Sequence, residues 1–260
     1  MSLEELLAKK TKNNPLFLHI DAIGLLNFKT HIGNNISEIL DNKLEDFNSV
    51  LNDSQKLGGN ILIPAFSYSI TNGELFDINK TKSDVGASME LLRNKNPEKR
   101  SSDPMFSYTV FSQDTVLQDR EIRSYETFGD NDIISKVFER DGYIAGIGGA
   151  ISKMTEAHFL ERKLKVKYRF DKDFIGKVKI KNGEIIQIKH RFFCRDLSFN
   201  KRTDFLPIIQ DARKEGMIEV WEEDGVQIEA IKMKTLYKLM KEKIDKEHFY
   251  FCKFDDLKKR

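Results

Sequence analysis

The segment from Thr155 to Glu161 carries the residue types and spacing best suited to acid–base chemistry. Among the five histidines of the chain, His158 follows an apolar strand pattern and a glycine turn, with Thr155 three residues earlier at a predicted helix N-cap. Glu161 lies three residues further on, so its carboxylate shares a helix face with the imidazole. That carboxylate can hold the ring and raise its basicity for general-base work. Spacing alone favours a capped helix with a solvated charge pair.

His19 closes a short apolar stretch, Leu16–Ile20, just before the turn-like segment Asp21–Gly24. Open α/β sheets bind ligands at strand ends, and the backbone N–H groups of such a turn suit an anionic group. Without further support, an ordinary strand end explains this pattern. Arg100 and Ser101 form a second pair suited to phosphate contacts, although an arginine beside a hydroxyl is common in loops.

Several familiar motifs do not fit this chain. The glycines of segment 146–149 follow a strand, but the third glycine of a dinucleotide fingerprint is due at position 151, which is Ile151. We find no Walker A sequence, nucleophile elbow or His-Glu-x-x-His motif. Cys194 and Cys252 are far apart and lack metal-like spacing. We therefore expect no metal site and no disulfide framework, and a reducing cytoplasm as the compartment.

Composition excludes other classes of protein. The 43 basic residues nearly balance the 41 acidic ones, for a net charge of +2, so the pull toward phosphate backbones that a strongly basic protein feels is missing. Acidic residues interrupt the apolar pattern of the N-terminus, unlike an export signal. The longest apolar runs fall far short of a membrane span. We expect a soluble globular protein with neither a nucleic-acid nor a membrane partner.

The elements that must position these residues alternate between strands and helices. A strand at 16–20, a helix at 36–57 and a strand at 60–64 indicate a parallel unit, and a third buried strand, 143–147, leads into the His158 segment. A polar loop beyond the second strand contains Ser67 and Tyr68, in a position where loops commonly carry function. Further helices are predicted at 3–7, 85–93, 133–140, 205–215 and 231–243, and further strands at 107–111, 219–222 and 226–231.

These patterns predict a three-layer α/β/α core with a mixed, partly parallel sheet. After Tyr168 the character changes, because residues 175–193 alternate around Asn182-Gly183, which is a strong hairpin signal. We divide the chain into a core at residues 1–170 and an α+β C-terminal extension at residues 171–260, packed on that core. No Pro-, Ser- or Gly-rich linker separates the two parts.

In their order along the chain, these segments resemble the aminoglycoside 3-N-acetyltransferase family, which uses acetyl-CoA and is unrelated to the more common GNAT acetyltransferases. The resemblance covers roughly residues 1–170. The Arg-Ser-x-x-Pro-x-x-Ser and Thr-x-x-His-x-x-Glu elements are specific only in combination. The matching segments are Leu18-His19-Ile20-Asp21 with Gly24-Leu25, Ile63 to Ser67, Val85-Gly86 through Leu92-Arg93, Arg100 to Ser107, Phe128-Gly129, Gly146-Ile147-Gly148, Thr155 to Glu161, and Tyr168-Arg169.

The resemblance implies a CoA channel, an acetyl-transfer site at His158 and an adjacent acceptor pocket. Glu161 supports His158 or meets the acceptor, and Thr155 helps stabilise the oxyanion. Residues expected to line the CoA channel are His19, Ile20, Asp21, Ala22, Gly24, Arg100, Ser101 and Ser107. Residues expected to face the acceptor are Ser67, Tyr68, Asp103 and Glu161.

The sequence departs from the family pattern at three places. Asp21 stands where members often have serine, Asp103 where they often have histidine or asparagine, and residues 131–133 replace the usual Ser-Pro. These departures affect mainly the acceptor pocket. The C-terminal part resembles members found with surface-polysaccharide genes more than resistance enzymes.

Three functions follow from these observations. We expect an enzyme that transfers acetyl directly from acetyl-CoA to the amine of an amino sugar, with His158 as general base and a nucleotide-linked sugar as the leading acceptor. The alternative is aminoglycoside 3-N-acetylation conferring antibiotic resistance. From another class, the fold could persist as a noncatalytic binding module, although the joint presence of Thr155, His158 and Glu161 opposes that interpretation. The sequence does not determine the oligomeric state.

Overall fold

A computed structural model of the chain describes residues 1–31, 33–121, 125–180, 182–196 and 201–254. The helices are α1 (Leu3–Thr11), α2 (Ile36–Lys56), α3 (Ala87–Lys95), α4 (Ile133–Glu139), α5 (Ala157–Lys163), α6 (Leu206–Lys214) and α7 (Met233–Lys246). The strands are β1 (Leu16–Ile20), β2 (Ile61–Pro64), β3 (Leu75–Asp77), β4 (Tyr108–Phe111), β5 (Tyr125–Glu126), β6 (Tyr143–Ile147), β7 (Arg169–Lys179), β8 (Ile185–Arg195), β9 (Lys201–Thr203), β10 (Glu219–Glu223), β11 (Val226–Lys232) and β12 (Cys252–Phe254).

A six-stranded central sheet has the order β10-β11-β6-β1-β2-β4. The strand β1 runs parallel to both β2 and β6, whereas β4, β11 and β10 each join antiparallel to a neighbour. The strands β1, β2 and β6 are buried along their whole length, as parallel strands covered on both faces must be. The predicted mixed, partly parallel sheet is confirmed.

Helices cover both faces of this sheet. Along β1, Leu16 and Leu18 pack in one buried apolar cluster with side chains of α1, α2 and α3, whereas Phe17 packs in a second cluster with side chains of α4, α5, α6 and α7. This division follows from the alternation of side chains along a strand. The result is the three-layer α/β/α core that the sequence predicts.

The hairpin of β7 and β8 forms a second sheet, with the order β3-β7-β8-β5. Its pairing extends from Arg169 opposite Arg195 to Lys179 opposite Ile185, so it is longer than the alternating pattern at 175–193 suggests. The connection uses the predicted Asn182-Gly183 segment, where Gly183 has a φ of +89°. Strand β3 lies beyond the second strand, where we expected a polar loop, and adds to the edge of β7.

The part of the chain after residue 170 also contributes to the central sheet. Strand β11 pairs antiparallel with β6, placing Ile228 opposite Ile147, and β10 extends the sheet beyond it. Apolar side chains of α6 and α7, such as Ile208 and Leu236, are completely buried in the second cluster. The boundary at residue 170 stays a prediction. Within the described residues, no helix has the length and apolar character needed to cross a membrane.

Candidate active site

The proposed catalytic segment begins at the edge of the sheet where β1 and β6 end. These strands are parallel, with Ile20 opposite Ile147, so the loops that follow them leave on the same side. The antiparallel strand β4 begins at this edge, because Tyr108 is opposite Pro64 at the end of β2. Carboxyl ends of parallel strands are where open α/β sheets gather functional side chains.

Glycines let the chain fold back tightly after β6. A Cβ on Gly146 would lie only 2.0 Å from the backbone nitrogen of Ile151, and Gly148 and Gly149 have φ values of +65° and +79°. These conformations and this close approach strongly favour glycine. The glycine turn that the sequence predicts therefore directs the chain from the sheet into α5.

Helix α5 presents His158 in its first turn, as predicted, but the predicted cap is wrong by one residue. The residue before the helix is Glu156, not Thr155, and no side-chain cap bond is formed there. The physical reason is that the Glu156 carboxylate points into the protein interior, where it contacts two buried side chains. Thr155 contributes its backbone carbonyl, which accepts a hydrogen bond from the His158 N–H at 3.0 Å.

Both ring nitrogens of His158 have side-chain partners. Its Nδ1 lies 2.6 Å from Oε2 of Glu161, and its Nε2 lies 3.0 Å from Nη2 of Arg169. A guanidinium can only donate, so Nε2 accepts and the ring proton resides on Nδ1, which donates to the carboxylate. The imidazole is thus held in one orientation and one tautomer, with 17% of the side chain exposed.

Glu161 is completely buried and has three polar partners. Besides His158, it accepts a hydrogen bond from the Tyr168 hydroxyl at 2.8 Å and forms an ion pair with Arg169 Nε at 2.9 Å. Burial alone would raise the pKa of Glu161, but these three partners stabilise the ionised form and hold its pKa below the ordinary value. The carboxylate is therefore a fixed negative charge beneath the imidazole.

The pKa of His158 is lowered by the surroundings of the ring. Burial disfavours the imidazolium, and the positive charge of Arg169 adds to this effect, while Glu161 partly opposes it. The imidazole is consequently neutral at neutral pH, the state that a general base requires.

Aromatic rings enclose the imidazole on two sides. The ring centroid of Phe128 is 6.1 Å from that of His158, and the centroid of Phe205 is 5.3 Å away. Phe128 has a φ of +65°, an uncommon conformation for a bulky residue, and its N–H donates to buried Asp132 at 2.6 Å. Sequence reasoning missed Phe205, and it assigned no role to Phe128 or Arg169 although both lie in matched segments.

A second buried histidine–glutamate pair lies beside the first. Glu156 is completely buried, and its two oxygens accept hydrogen bonds from His19 Nε2 at 2.8 Å and from the Tyr108 hydroxyl at 2.9 Å. His19 itself is only 3% exposed. This cluster ties the start of α5 to β1 and β4.

The predicted donor-site loop after β1 contacts the glycine turn after β6. Asp21 caps it by accepting a hydrogen bond from the N–H of Ile23, and a Cβ on Gly24 would lie 2.4 Å from the Gly148 nitrogen. Ala22 is half-buried, and Ile20 is buried in the sheet. The loop thus lies at the same sheet edge as the start of α5.

Arg100 and its neighbouring serines are directed inward. The Arg100 guanidinium is completely buried and donates to Ala65 O at 2.6 Å, Ser107 Oγ at 2.8 Å and the carbonyl of Thr81. The Ser101 hydroxyl accepts the N–H of residue 108. These contacts fix the loop before β4. The role of these three residues toward CoA stays a prediction.

The predicted acceptor residues occupy different environments. Ser67 is 1% exposed, whereas Tyr68 is 40% exposed. Burial of its hydroxyl and nearby Asp84 raise the Tyr68 pKa, while Arg169 opposes the change. The Tyr68 ring packs edge-on against Phe106 at 6.2 Å, and Phe106 lies 5.0 Å from Phe128, which packs against His158. Asp103 is buried and accepts bonds from two backbone N–H groups and from Thr127.

Nothing among the described residues forms a group of three or more histidine, cysteine, aspartate or glutamate side chains that could hold a metal ion. What the described arrangement provides is a neutral imidazole on a buried carboxylate, at the edge of a sheet and beside a glycine turn. Such an arrangement can remove a proton from an incoming nucleophile.

Comparison with known proteins gives the family. A family model for aminoglycoside 3-N-acetyltransferases matches residues 42–245. No curated protein matches the sequence. Similar solved structures include AAC-VIa bound to sisomicin (14% identity, 95% of this chain and 98% of that one, TM-score 0.67) and aminoglycoside acetyltransferase AAC(3)-Xa (13% identity, 95% and 92%, TM-score 0.67). A third is AAC-IIIb in a binary complex with CoASH (14% identity, 94% and 96%, TM-score 0.62).

The three structures share the fold of this chain at low sequence identity, and the family match covers well over half of its length. The chain therefore belongs to the aminoglycoside 3-N-acetyltransferase family, which confirms the resemblance found in the sequence and makes the protein an acyltransferase.

Proposed function

We propose that the protein transfers acetyl from acetyl-CoA directly to the amine of an amino sugar, with His158 as general base. The observation that carries this proposal is the partly exposed imidazole whose Nδ1 is held 2.6 Å from completely buried Glu161. A solvated charge pair, which spacing alone favours, would leave the carboxylate in water. The burial of Glu161 instead supports a catalytic pair.

Acetyl-CoA is the acyl donor in this proposal. A structural neighbour binds CoASH, and the family consists of acetyltransferases. The loop from Asp21 to Gly24 borders the glycine turn that leads to His158, so a donor that lies along this loop can reach the imidazole. His19 and Arg100 are buried, so we expect these two side chains to support the walls of the donor channel without touching the donor. We expect the loop backbone and the exposed side chain of Ile23 to contact the donor.

The chemistry requires that a neutral amine attack the thioester carbonyl. Sugar amines titrate at roughly 8 or above, so most are protonated at neutral pH and must first lose a proton to solvent. As the C–N bond forms, Nε2 of His158 accepts the second proton, and the charge on the carbonyl oxygen is stabilised by backbone N–H groups and Thr155. The C–S bond then breaks, and the imidazolium returns its proton to the CoA thiolate.

We favour an acceptor that carries a nucleotide. A polycationic aminoglycoside favours a carboxylate-rich pocket, whereas a nucleotide-linked sugar brings a pyrophosphate that pairs with arginine or lysine. Both oxygens of Glu161 are already bound to donors, and the group next to the base is the cation Arg169. These contacts support an acceptor with negative charge.

Aminoglycoside acetylation is the competing activity. The family description and the neighbour bound to sisomicin support it. The cytoplasm is the compartment that we propose for either reaction. A noncatalytic module is the third possibility, and the ordered His158–Glu161 pair argues against it because a mere binding fold has no need of a buried, ionised carboxylate under a histidine.

A thiol-release assay with acetyl-CoA tests the proposal on aminoglycosides and on nucleotide-linked 3-amino and 4-amino sugars. His158→Ala and His158→Asn should lower kcat by about 10²- to 10⁴-fold with CoA affinity unchanged. His31→Asn, which removes a histidine paired with Asp46 elsewhere, is the matched control. Near wild-type turnover of the His158 variants would refute the general base. CoA binding without turnover on any acceptor would favour the module.

A further inference from the structure

One face of the β7–β8 hairpin carries an open pocket of about 460 Å³. Pairing of Lys172 with Phe192 and of Phe170 with Cys194 places these side chains on the same face, because partners opposite each other in an antiparallel pair share a face. Its lining consists of aromatic rings, two cations and two further polar residues: Phe170, Phe174, Phe192, Lys172, Arg195, Cys194 and Asp196.

The aromatic rings of this pocket are incompletely covered. Phe170 is 47% exposed, and Phe174 and Phe192 are half-buried. Lys172 places its Nζ 5.0 Å from the centre of the Phe174 ring. Exposed aromatic rings clustered with cations mark a binding surface more often than isolated exposed residues do.

The opposite face of the hairpin has a different character. There, Asp173 holds both Arg191, at 2.8 Å, and Lys189, also at 2.8 Å. Acidic and basic groups are thus matched on that face, and its aromatic residue in β7 and β8, Phe193, is buried. The pocket combines incompletely covered rings with the cations Lys172 and Arg195, and Arg195 reaches it from the end of β8, where it is opposite Arg169.

The pocket is connected to the proposed catalytic residue through packed rings. Phe192 stacks on Phe106, with ring centroids 5.2 Å apart, and lies 6.2 Å from Phe128, which in turn packs against His158. A ligand seated on Phe192 would therefore lie two aromatic rings from the imidazole. That separation suits the part of a substrate that anchors but does not react.

We propose that this hairpin pocket binds the nucleoside diphosphate portion of a substrate, an inference that rests on the acetyl-transfer function proposed above. A planar base stacks on Phe170, Phe174 or Phe192, since base–aromatic stacking tolerates any base. The pyrophosphate is held by Lys172 and Arg195 through charge-assisted hydrogen bonds. The same pocket would repel the multiple ammonium groups of an aminoglycoside.

Two substrates could supply this chemistry. One is the nucleotide of the amino-sugar acceptor, and the other is the nucleotide end of CoA. The loop after β1 is the proposed donor side, so we assign the hairpin pocket to the acceptor. The two sources are separable by experiment, because they change different Michaelis constants.

The test uses Phe174→Ala and Lys172→Glu in the full chain, each with a control on the opposite face of the same strand. Ile175→Ala matches the loss of apolar surface, and Lys177→Glu matches the charge reversal, since both residues are exposed and alternate with the pocket residues. Isothermal titration with UDP and with CoA gives the binding constants. The melting temperature shows whether each variant is folded. Lys172 is exposed, so we expect Lys172→Glu to disturb folding less than Phe174→Ala.

We expect UDP to bind the wild type and both pocket variants to weaken it by roughly tenfold or more, with the controls unchanged. The KM for a nucleotide-linked amino sugar should rise while the KM for acetyl-CoA stays constant. A rise in the acetyl-CoA KM alone would assign the pocket to CoA and overturn our assignment to the acceptor. If neither pocket variant changes the binding constant of UDP or of CoA, the pocket is not a nucleotide site.

These outcomes remain distinct from failure of the proposed function. If the wild type acetylates aminoglycosides and not nucleotide-linked sugars, the acceptor assignment is wrong, although acetyl transfer stands. If the wild type releases no thiol with any amine, the proposed function fails, and the UDP and CoA titrations still decide whether the pocket binds nucleotides.

Discussion

Arg169 donates a hydrogen bond from Nη2 to Nε2 of His158 at 3.0 Å, and Nε2 is the nitrogen that we propose accepts a proton during acetyl transfer. The guanidinium also contacts Glu161 and donates to Phe193 O and Thr203 Oγ1, both at 3.2 Å. Arg169 therefore fixes the reactive tautomer and at the same time covers the basic lone pair. In the proposed mechanism, the acceptor amine displaces this donor from Nε2 before His158 accepts its proton.

Replacing Arg169 with glutamine should change the pH dependence of acetyl transfer. Arg169 is one of the causes that lower the pKa of His158, so removing its charge should raise that pKa. A protonated imidazole cannot accept a proton, so activity falls as pH decreases through the pKa of His158. We therefore expect the acidic limb of the kcat/KM profile to move to higher pH in Arg169→Gln.

Arg213→Gln is the control for that experiment, because Arg213 is paired with Glu229 at 2.7 Å on the surface. Its acidic limb should coincide with that of the wild type. A purely structural role for Arg169 would lower activity at every pH and leave the limb in place. That result would exclude the proposed influence of Arg169 on the base.

Glu156→Gln should destabilise the protein and misplace α5. The side chain is completely buried between His19 and Tyr108, and removing one partner of a buried pair typically costs about 3–5 kcal/mol of the free energy of unfolding. A glutamine keeps one acceptor oxygen, but its amide nitrogen is a donor and would face either His19 or Tyr108, both of which donate to Glu156. Urea unfolding near pH 7 measures the loss, and Glu222→Gln, on the surface of β10, should show almost none.

The cost of Glu156→Gln should also depend on pH. Burial would raise the pKa of Glu156, but His19 and Tyr108 lower it below 4.5 overall. The contribution of a carboxylate with a lowered pKa is complete above its unfolded value and is lost as pH falls through the folded value. The difference in stability between wild type and variant should therefore shrink below about pH 4.5. A constant difference would show that packing, not charge, stabilises this cluster.

The sequence predicts the framework of the site well because local patterns determine it. Strand β1, the long helix α2 and strand β6 follow from apolar runs ended by turns, and Gly146 to Gly149 mark the fold-back that leads to His158. The partnership of His158 with Glu161 follows from helical spacing. These features depend on residues close together in the chain.

Long-range contacts account for what sequence reasoning missed. Glu156 meets His19 across 137 positions and Tyr108 across 48, so no local pattern reveals the cluster. The same interior contacts explain why the helix starts after Glu156 rather than at a Thr155 cap. Arg100 donates to the carbonyl of Ala65, 35 positions earlier in the chain, which is a contact that no local pattern reveals.

Asp132→Asn should remove a pH-dependent penalty on folding. Burial, together with the charge of Asp103, raises the pKa of Asp132 to about 7. The folded protein therefore keeps this proton up to about pH 7, whereas the unfolded chain releases it near 3.8, so the folded state binds more protons in that window and stability falls as pH rises. Asparagine does not titrate. The stability of the variant relative to wild type should rise between pH 4 and 7.

Asp130→Asn provides the control for this prediction, since residue 130 is exposed two positions away. Denaturant unfolding of both variants and the wild type at several pH values from 4 to 8 gives the comparison. The gain in unfolding free energy of Asp132→Asn over the wild type should level off above pH 7, because Asp132 is then ionised in both the folded and the unfolded wild-type protein. A gain that is equal at all pH values would contradict the raised pKa.

Gly146→Ala should damage the site through the backbone. Gly146 pairs with His19 in the sheet, and an added Cβ would lie 2.0 Å from the Ile151 nitrogen and 2.6 Å from the carbonyl carbon of Ala150. Backbone atoms cannot rotate away, so we expect a loss of at least about 1–3 kcal/mol in unfolding free energy and reduced thiol release, because the turn directs α5. Gly183→Ala is the control, because an added Cβ at this position has no neighbour within 4 Å, although the backbone φ is +89°. This control should lose only about 1–2 kcal/mol of unfolding free energy and preserve turnover. If Gly146→Ala were as active as that control, the tight fold-back would not be what positions His158.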